Sequence, residues 1–437
     1  MWQRIVLTML ARLARRGRLT AIMPDGSTHV FGDPATGPDV TLKLTDEARL
    51  RGLVRDPELA MGEAYMDGTF TVEKGDLRQM FTLFALNGGR RIMPPAIAAG
   101  YRARFLARRW MQVNGARRAR ANVAHHYDIG DDFYALFLDE DRQYSCAYFP
   151  RPGMTLEEAQ AAKKAHIARK LLIEPGMRVL DIGCGWGGLA LTLARDHGAH
   201  VTGVTLSENQ HRAAIARVAE AGLADRVDIR LMDYRDLSET FDRVVSVGML
   251  EHVGVPNYGT YFARVAGLMG PDGLALVHCI GRCGPPTTTS GWLAKYIFPG
   301  GYNPSLSELL PPIEATGLWQ GDVEVWRGHY AETLRHWQAR FEANVEKVRA
   351  MYDERFVRMW RYYLAGAEVS FDAYGHVVYQ IQLAKRRETV PNTRDYLYGS
   401  FPAPSEASPA GGINRDGAGV VQPRPAAVPV AAPFRDP

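Results

Sequence analysis

The nine residues LDIGCGWGG, Leu180 to Gly188, constrain the fold more than any other stretch of the chain. They read as the end of a buried strand, a glycine-rich loop and the start of a helix. The same alternation continues on both sides. TLEEAQAAKKAHIARKLL precedes it as a helix, opened by Thr155 and Glu158 in capping-box spacing. MRVLDIG is the strand, GLALTLARDHG a helix, AHVTGVTL a strand and SENQHRAAIARVAEAG a helix. RVDIRLMD, FDRVVSVG and GLALVHCI are further strands. This order predicts an α/β fold, a Rossmann-like doubly wound parallel sheet with helices on both faces. Ligands of such sheets bind outside the carboxyl ends of the strands.

Gly183, Gly185 and Gly188 satisfy a dinucleotide-type glycine pattern, which alone is a weak signal. A nicotinamide enzyme should also carry an acid at the end of the second strand to hold the ribose hydroxyls. Here that place reads GVTLS, with Thr205 and no carboxylate. Asp181 instead ends the first strand, where an acid can order the loop and neighbour a positively charged amino-acid group. Asp233, ending the third strand, is placed to accept from an adenine amino group. Ser207 and Gln210 have capping-box spacing at a helix start bordering the nucleoside. Together these features favour S-adenosylmethionine over a nicotinamide cofactor.

The remaining strand ends supply Glu251, in GMLEHVG, and His278, in LVHCIG. A lone buried histidine is more often structural, but a Glu and a His on one cofactor rim point to function. Cys279 and Cys283 have no second ligand pair at useful spacing, so a zinc site is rejected. Cys146, in QYSCAYFP, reads as a nucleophile, a redox thiol, a metal ligand or part of a wall.

Composition bears on the rest of the chain. With 437 residues, 46% hydrophobic, there is material for two or three domains. Four cysteines are too few for a disulfide framework and the amino terminus does not resemble an export signal, so a cytoplasmic location is expected. Residues 2–13 read as an amphipathic helix. Between Asp76 and Asp128 there is no acid, yet there are ten arginines: Arg78, Arg90, Arg91, Arg102, Arg104, Arg108, Arg109, Arg117, Arg118 and Arg120. Apolar residues such as Tyr101, Phe105, Leu106 and Trp110 interleave them. A solvated helix pair and an anionic membrane surface explain this equally well, and nucleic acid does so poorly for want of a motif. Three regions are expected: an amino-terminal α+β domain with the Arg-rich helical linker over 1–120, a catalytic domain over 121–400, and a disordered tail over 401–437 with eight prolines.

HHYDIGDDFYALFLDEDRQYSCAYF, VLDIGCGWGGLA, VTGVTLSENQ, DYRDL, FDRVVSVGMLEHVG, HCIG and KYIFPGG, in this order, resemble the cyclopropane-fatty-acyl-phospholipid synthase family, which includes the mycolic acid cyclopropane synthases. The likeness covers roughly residues 121–390, and GEAYMDGTFTVE resembles the smaller domain of the bacterial phospholipid enzymes. It implies methyl transfer from S-adenosylmethionine to a cis double bond in an acyl chain of a membrane phospholipid. Loss of a proton from the new methyl then closes a cyclopropane ring. An alkene needs no initial base and no serine or cysteine nucleophile, only placement and a shielded cation. Aromatic faces such as Tyr144, Tyr148 and Phe149 suit a passing cation.

The resemblance further implies a bound bicarbonate ion as the base, in a pocket of Cys146, Glu251, His278, Ile280 and Tyr330. The implied cofactor set is Tyr144, Ser145, Asp181, Gly183, Gly185, Gly187, Thr205, Gln210, Asp233 and Tyr234. QYSCAYF becomes a lid over the cofactor, with Tyr144 and Ser145 toward it and Cys146 closing the base pocket. Cys279 stands where a small polar residue is expected. The basic stretch now favours peripheral contact with the inner face of the cytoplasmic membrane, and the family suggests a homodimer. The alternative from the same fold is an unsaturated-fatty-acyl methyltransferase that leaves a methyl branch.

Overall fold

The computed structural model describes residues 1–88, 95–112 and 130–398, apart from the side chains of 95–97 and 109–111. HHYDI (125–129), Arg90, Arg91, Arg117, Arg118, Arg120 and the tail 401–437 lie outside the described residues. Residues 1–393 form one compact unit containing two sheets. The second unit begins at Arg394 and includes the short helix Asp395–Tyr398.

The first sheet has four strands, β1 (Gly17–Ile22), β2 (Thr28–Asp33), β3 (Asp39–Leu44) and β4 (Phe70–Lys74), in the order β2-β1-β3-β4. β1 is antiparallel to β2 and parallel to β3. The helix Trp2–Arg12 buries Val6 and Met9, as its apolar spacing requires. Leu19, Val40 and Phe70 from this sheet share a core with Trp360 of the helix Glu354–Asp372 and with Phe133 and Tyr134.

The second sheet contains β5 (Arg178–Ile182), β6 (His200–Thr205), β7 (Val227–Leu231), β8 (Phe241–Val247), β9 (Met269–Arg282), β10 (Trp319–Trp326) and β11 (His376–Ala384). Their order is β10-β11-β9-β8-β5-β6-β7. The five strands β5 to β9 pair in parallel. The sheet is nonetheless mixed and not wholly parallel, because β11 is antiparallel to both β9 and β10. The chain order reverses at β5, which has β6 on one side and β8 on the other, and this switch point is where a ligand crevice is expected.

Each face of this sheet carries its own apolar layer. The helices Leu156–Lys170, Gly188–His197 and Glu208–Glu220 cover one face through Ile167, Leu193 and Val218. Tyr261 and Val265 of Tyr258–Leu268 and Leu309 of Leu306–Glu314 cover the other. The Thr155–Glu158 capping box forms with both hydrogen bonds in place.

The Arg-rich segment is helical over Pro95–Met111. Its guanidinium groups are less free than the sequence suggests. Arg104 pairs with Asp56, Arg108 with Glu308, and Arg78 with Glu368 and Asp372. Arg102 and Leu106, one turn apart, are exposed, Leu106 by 73%. Among the described residues no helix is long and apolar enough to cross a membrane.

Candidate active site

The glycine loop between β5 and the helix Gly188–His197 is tied to the neighbouring strand end, because Val204 O accepts from Gly183 N at 2.9 Å and from Cys184 N at 3.0 Å. Gly183 has φ +82° and a Cβ there would lie 3.3 Å from Met249, so both backbone and space call for glycine. Gly185 and Gly187 also have positive φ. Asp181 ends β5 fully in the interior, and its Oδ2 has no hydrogen-bond partner among the described residues. Burial raises its carboxyl to about 7, against the lowering effect of the Lys163 ammonium. A buried acceptor of this kind, beside an open glycine turn, fits the ammonium and backbone of an amino-acid group and gives nothing to a pyrophosphate.

Thr205, at the end of β6, donates through Oγ1 to Gln210 Oε1 at 2.9 Å. Ser207 caps the next helix by accepting from Gln210 N. The expected capping box is therefore only half made, because the Gln210 side chain turns to Thr205 instead of back to the cap. Asp233 and Tyr234 follow β7 on the same rim. Arg235 holds Asp233 in a bidentate grip, Nε to Oδ1 at 2.8 Å and Nη2 to Oδ2 at 2.6 Å. This grip fixes the Asp233 carboxylate at the rim, where the expected adenine amino group would meet an acceptor.

Glu251 lies in the short turn after β8 and is buried. Its Oε1 accepts from Ile280 N at 2.6 Å, while Oε2 has no hydrogen-bond partner among the described residues. Burial raises this carboxyl to about 7. His278 and Ile280 are two apart on β9 and so share a face, whereas Cys279 points to the opposite core with Tyr258 and Tyr261. Cys279 therefore leaves the face of His278 and Ile280, although its thiol still feels the Glu251 carboxyl. Burial, reinforced by Lys163 and Lys170, keeps His278 neutral. Gln380, its cross-strand partner on β11, lies 3.1 Å from His278 Nδ1.

QYSCAYFP is pinned along its length. Gln160 Nε2 donates to the carbonyls of Gln143 and Ser145, Ala147 N donates to Thr333 Oγ1 at 3.0 Å, and Phe149 N donates to His329 Nδ1. Tyr144 stacks on Trp337 with centroids 5.2 Å apart, and its hydroxyl meets Tyr363 at 3.2 Å. Cys146 is buried against Trp326 and Val378, in a cluster that Tyr330 joins. The edge of His278 meets the Trp326 ring at 5.3 Å. Trp326 thereby links Cys146 and His278, distant in the sequence, while Tyr330 joins the cluster beside Phe371. The Cys146 thiol donates to Ala147 O and is pushed far up by burial, so no thiolate forms at neutral pH. Cys146→Ser is expected to keep more than about half of wild-type turnover, a hydroxyl being close in size and equally inert. Complete loss in a folded variant would restore the nucleophile.

Three residues absent from the sequence reading complete the site: Lys163, Gln380 and Trp326. Lys163 lies on a helix that the sequence places before the glycine loop, and only 1% of it is exposed. Its burial comes from the lid folding over the helix, which no local pattern reveals.

Fold and site together define a class I S-adenosylmethionine-dependent methyltransferase. The family model of mycolic acid cyclopropane synthetase matches residues 114–381, and a domain of unknown function, DUF7884, matches residues 11–89. The chain belongs to the mycolic acid cyclopropane synthetase family. It is 38% identical over 347 residues to cyclopropane-fatty-acyl-phospholipid synthase of Escherichia coli K12, covering 79% of this chain and 88% of that one. It is 36% identical over 385 residues to a probable fatty acid methyltransferase of Pseudomonas putida, covering 84% and 93%. The crystal structure of mycolic acid cyclopropane synthase CmaA1 complexed with SAH and CTAB superposes with a TM-score of 0.58 at 34% identity, over 61% of this chain and 98% of that one.

Proposed function

We propose that the protein transfers a methylene group from S-adenosylmethionine to the cis double bond of unsaturated acyl chains in membrane phospholipids, forming cyclopropane fatty acids. The observation that carries this reading is the pocket of Glu251 and His278. Both are buried beside the cofactor rim, His278 held neutral and Glu251 raised to about 7 with an oxygen that has no hydrogen-bond partner among the described residues, while Cys146 stays a thiol. The cofactor supplies an electrophilic methyl group. Tyr144, Trp337 and Tyr363 offer aromatic faces that exclude water and tolerate a cation.

We infer that Glu251 and His278 hold a small oxyanion such as bicarbonate, which would serve as the base for ring closure. With a carboxyl raised to about 7, Glu251 can carry a proton and donate it in a hydrogen bond to the ion. His278 can donate from Nε2 when Nδ1 accepts from Gln380. Cys146, Ile280 and Tyr330 would close the walls.

The test is incubation of purified protein with S-adenosylmethionine and liposomes of cis-monounsaturated phospholipid, followed by fatty-acid mass analysis before and after mild hydrogenation. A mass gain that resists hydrogenation is expected. No gain sinks the enzyme reading, and a gain that becomes fully reducible favours the methyl-branched product. The likeness to a probable fatty acid methyltransferase keeps that second reading in play.

We further propose that residues 1–120 act as a membrane-contacting domain at the inner face of the cytoplasmic membrane. With Arg78, Arg104 and Arg108 paired internally, and each unpaired arginine worth about 1 kcal/mol at an anionic surface, Arg102 and exposed Leu106 are the contact candidates among the described residues of this helix. Leu106→Asp should lower cosedimentation with anionic vesicles by roughly threefold or more. Unchanged cosedimentation removes this helix from the interface.

A further inference from the structure

Lys163 is a buried ammonium that forms no ion pair among the described residues, and its three protons go to neutral oxygens or to nothing. Nζ donates to Gln143 Oε1 at 2.6 Å and to Ser145 Oγ at 2.9 Å. Burying a charge without a counterion is expensive, so a position like this is retained when an anion arrives to share it. The carboxylates that face it, Asp139 and Asp141 from the turn before the lid and Asp181 from β5, act on it only at longer range. Lys164, Cys146 and the neutral imidazole of His278 are its other ionisable neighbours.

The geometry of the Ser145 hydroxyl sharpens this. A hydroxyl has one proton and two lone pairs, and Lys163 occupies one lone pair. The proton is then left to donate, and it finds no acceptor among the described residues. Ser145 is 9% exposed, at the edge of the lid. Asp181 on one side and the Lys163–Ser145 pair on the other make an anion and a cation-backed donor in the same crevice. That is the charge pattern of a zwitterionic amino acid read in reverse.

We propose that Lys163 is a positioning residue for the methionyl carboxylate of the cofactor, acting through the Ser145 hydroxyl that it polarises. The inference rests on the cofactor occupying this rim. Ammonium-backed hydrogen bonds to a carboxylate are the strong kind, so removing the charge should be felt at that end of the ligand alone.

The test compares S-adenosylhomocysteine with 5′-methylthioadenosine, which has the same nucleoside and sulfur but no amino-acid end, by calorimetry on the full chain. Wild type should bind S-adenosylhomocysteine the more tightly of the two. Lys163→Met should weaken S-adenosylhomocysteine by roughly 10-fold or more while leaving methylthioadenosine within about twofold. Ser145→Ala should reproduce the selective loss, and the double variant should lose little more than either single one, because the two residues act as one unit. Equal weakening of both ligands makes Lys163 structural and overturns the proposal. So does an unchanged ratio in Ser145→Ala, even if Lys163→Met does not fold. Wild type that binds neither ligand sinks the cofactor reading itself, a different failure.

Discussion

Glu251→Gln should reduce turnover on unsaturated phospholipid by about 10²–10⁴-fold, the range lost when a positioned acid–base group is removed. Glutamine matches the shape of glutamate, and its Oε1 can still accept from Ile280 N, so the turn after β8 should keep its place. What disappears is a carboxyl that can hold or release a proton near neutrality. The affinity for S-adenosylhomocysteine should stay within about twofold, since the loop and Asp181 are untouched. Single-turnover product formation and calorimetry on the same preparation separate the two effects. Loss of cofactor binding would show that Glu251 supports the rim and not the chemistry.

Asp181→Asn should weaken S-adenosylhomocysteine by roughly 10- to 100-fold, the cost of losing a charge-assisted hydrogen bond. The same change should make the ligand-free protein more stable at alkaline pH. The ordinary carboxyl value is 3.8 and burial lifts it to about 7 in the folded chain, so the folded state binds more protons across that interval. Stability from this group is therefore fully present below about 3.8 and is lost as pH rises toward 7. Asparagine has no such dependence. The melting temperature of the variant minus that of wild type should increase from pH 5 to pH 8. A flat difference would mean that Asp181 is ionised without penalty in the folded protein. The two results together describe a site that is destabilised until its ligand arrives.

The parallel half of the sheet was legible because its signals are local. β5 to β9 are short apolar runs bounded by turns, and the glycine loop announces itself. β10 and β11 were not. Gln380 and Gln382 sit in the middle of β11 and read as polar interruptions, yet both are fully buried, one against His278 and the other against Lys170 O. A buried amide pair is specified by what lies across the sheet and not by its own neighbours in sequence. The candidate rim residues Asp181, Thr205 and Glu251 follow from strand ends that local pattern marks, and His278 lies level with the end of β8, although β9 itself continues to Arg282. Trp326, Gln380 and Lys163 reach the site through tertiary contact and were missed. The arginine array erred in the opposite direction, since composition counts charges but cannot tell which of them already have partners, as Arg104 and Arg108 do.

The placement of β11 between β9 and β10 bears on how the chain is made. β11 is the last strand to leave the ribosome, yet it fills an internal position in the sheet. Until His376–Ala384 has been synthesised, β9 presents a bare edge and β10 has no neighbour to join. At roughly 5–20 residues per second, the delay between β9 and β11 lasts several seconds, long enough for an unpaired apolar strand to be a hazard to a nascent chain. A product terminated before His376 would carry the complete glycine loop yet leave His278 without Gln380. Completion of the sheet therefore rests on a single late event, the pairing of β11 with β9, which also brings β10 into the sheet.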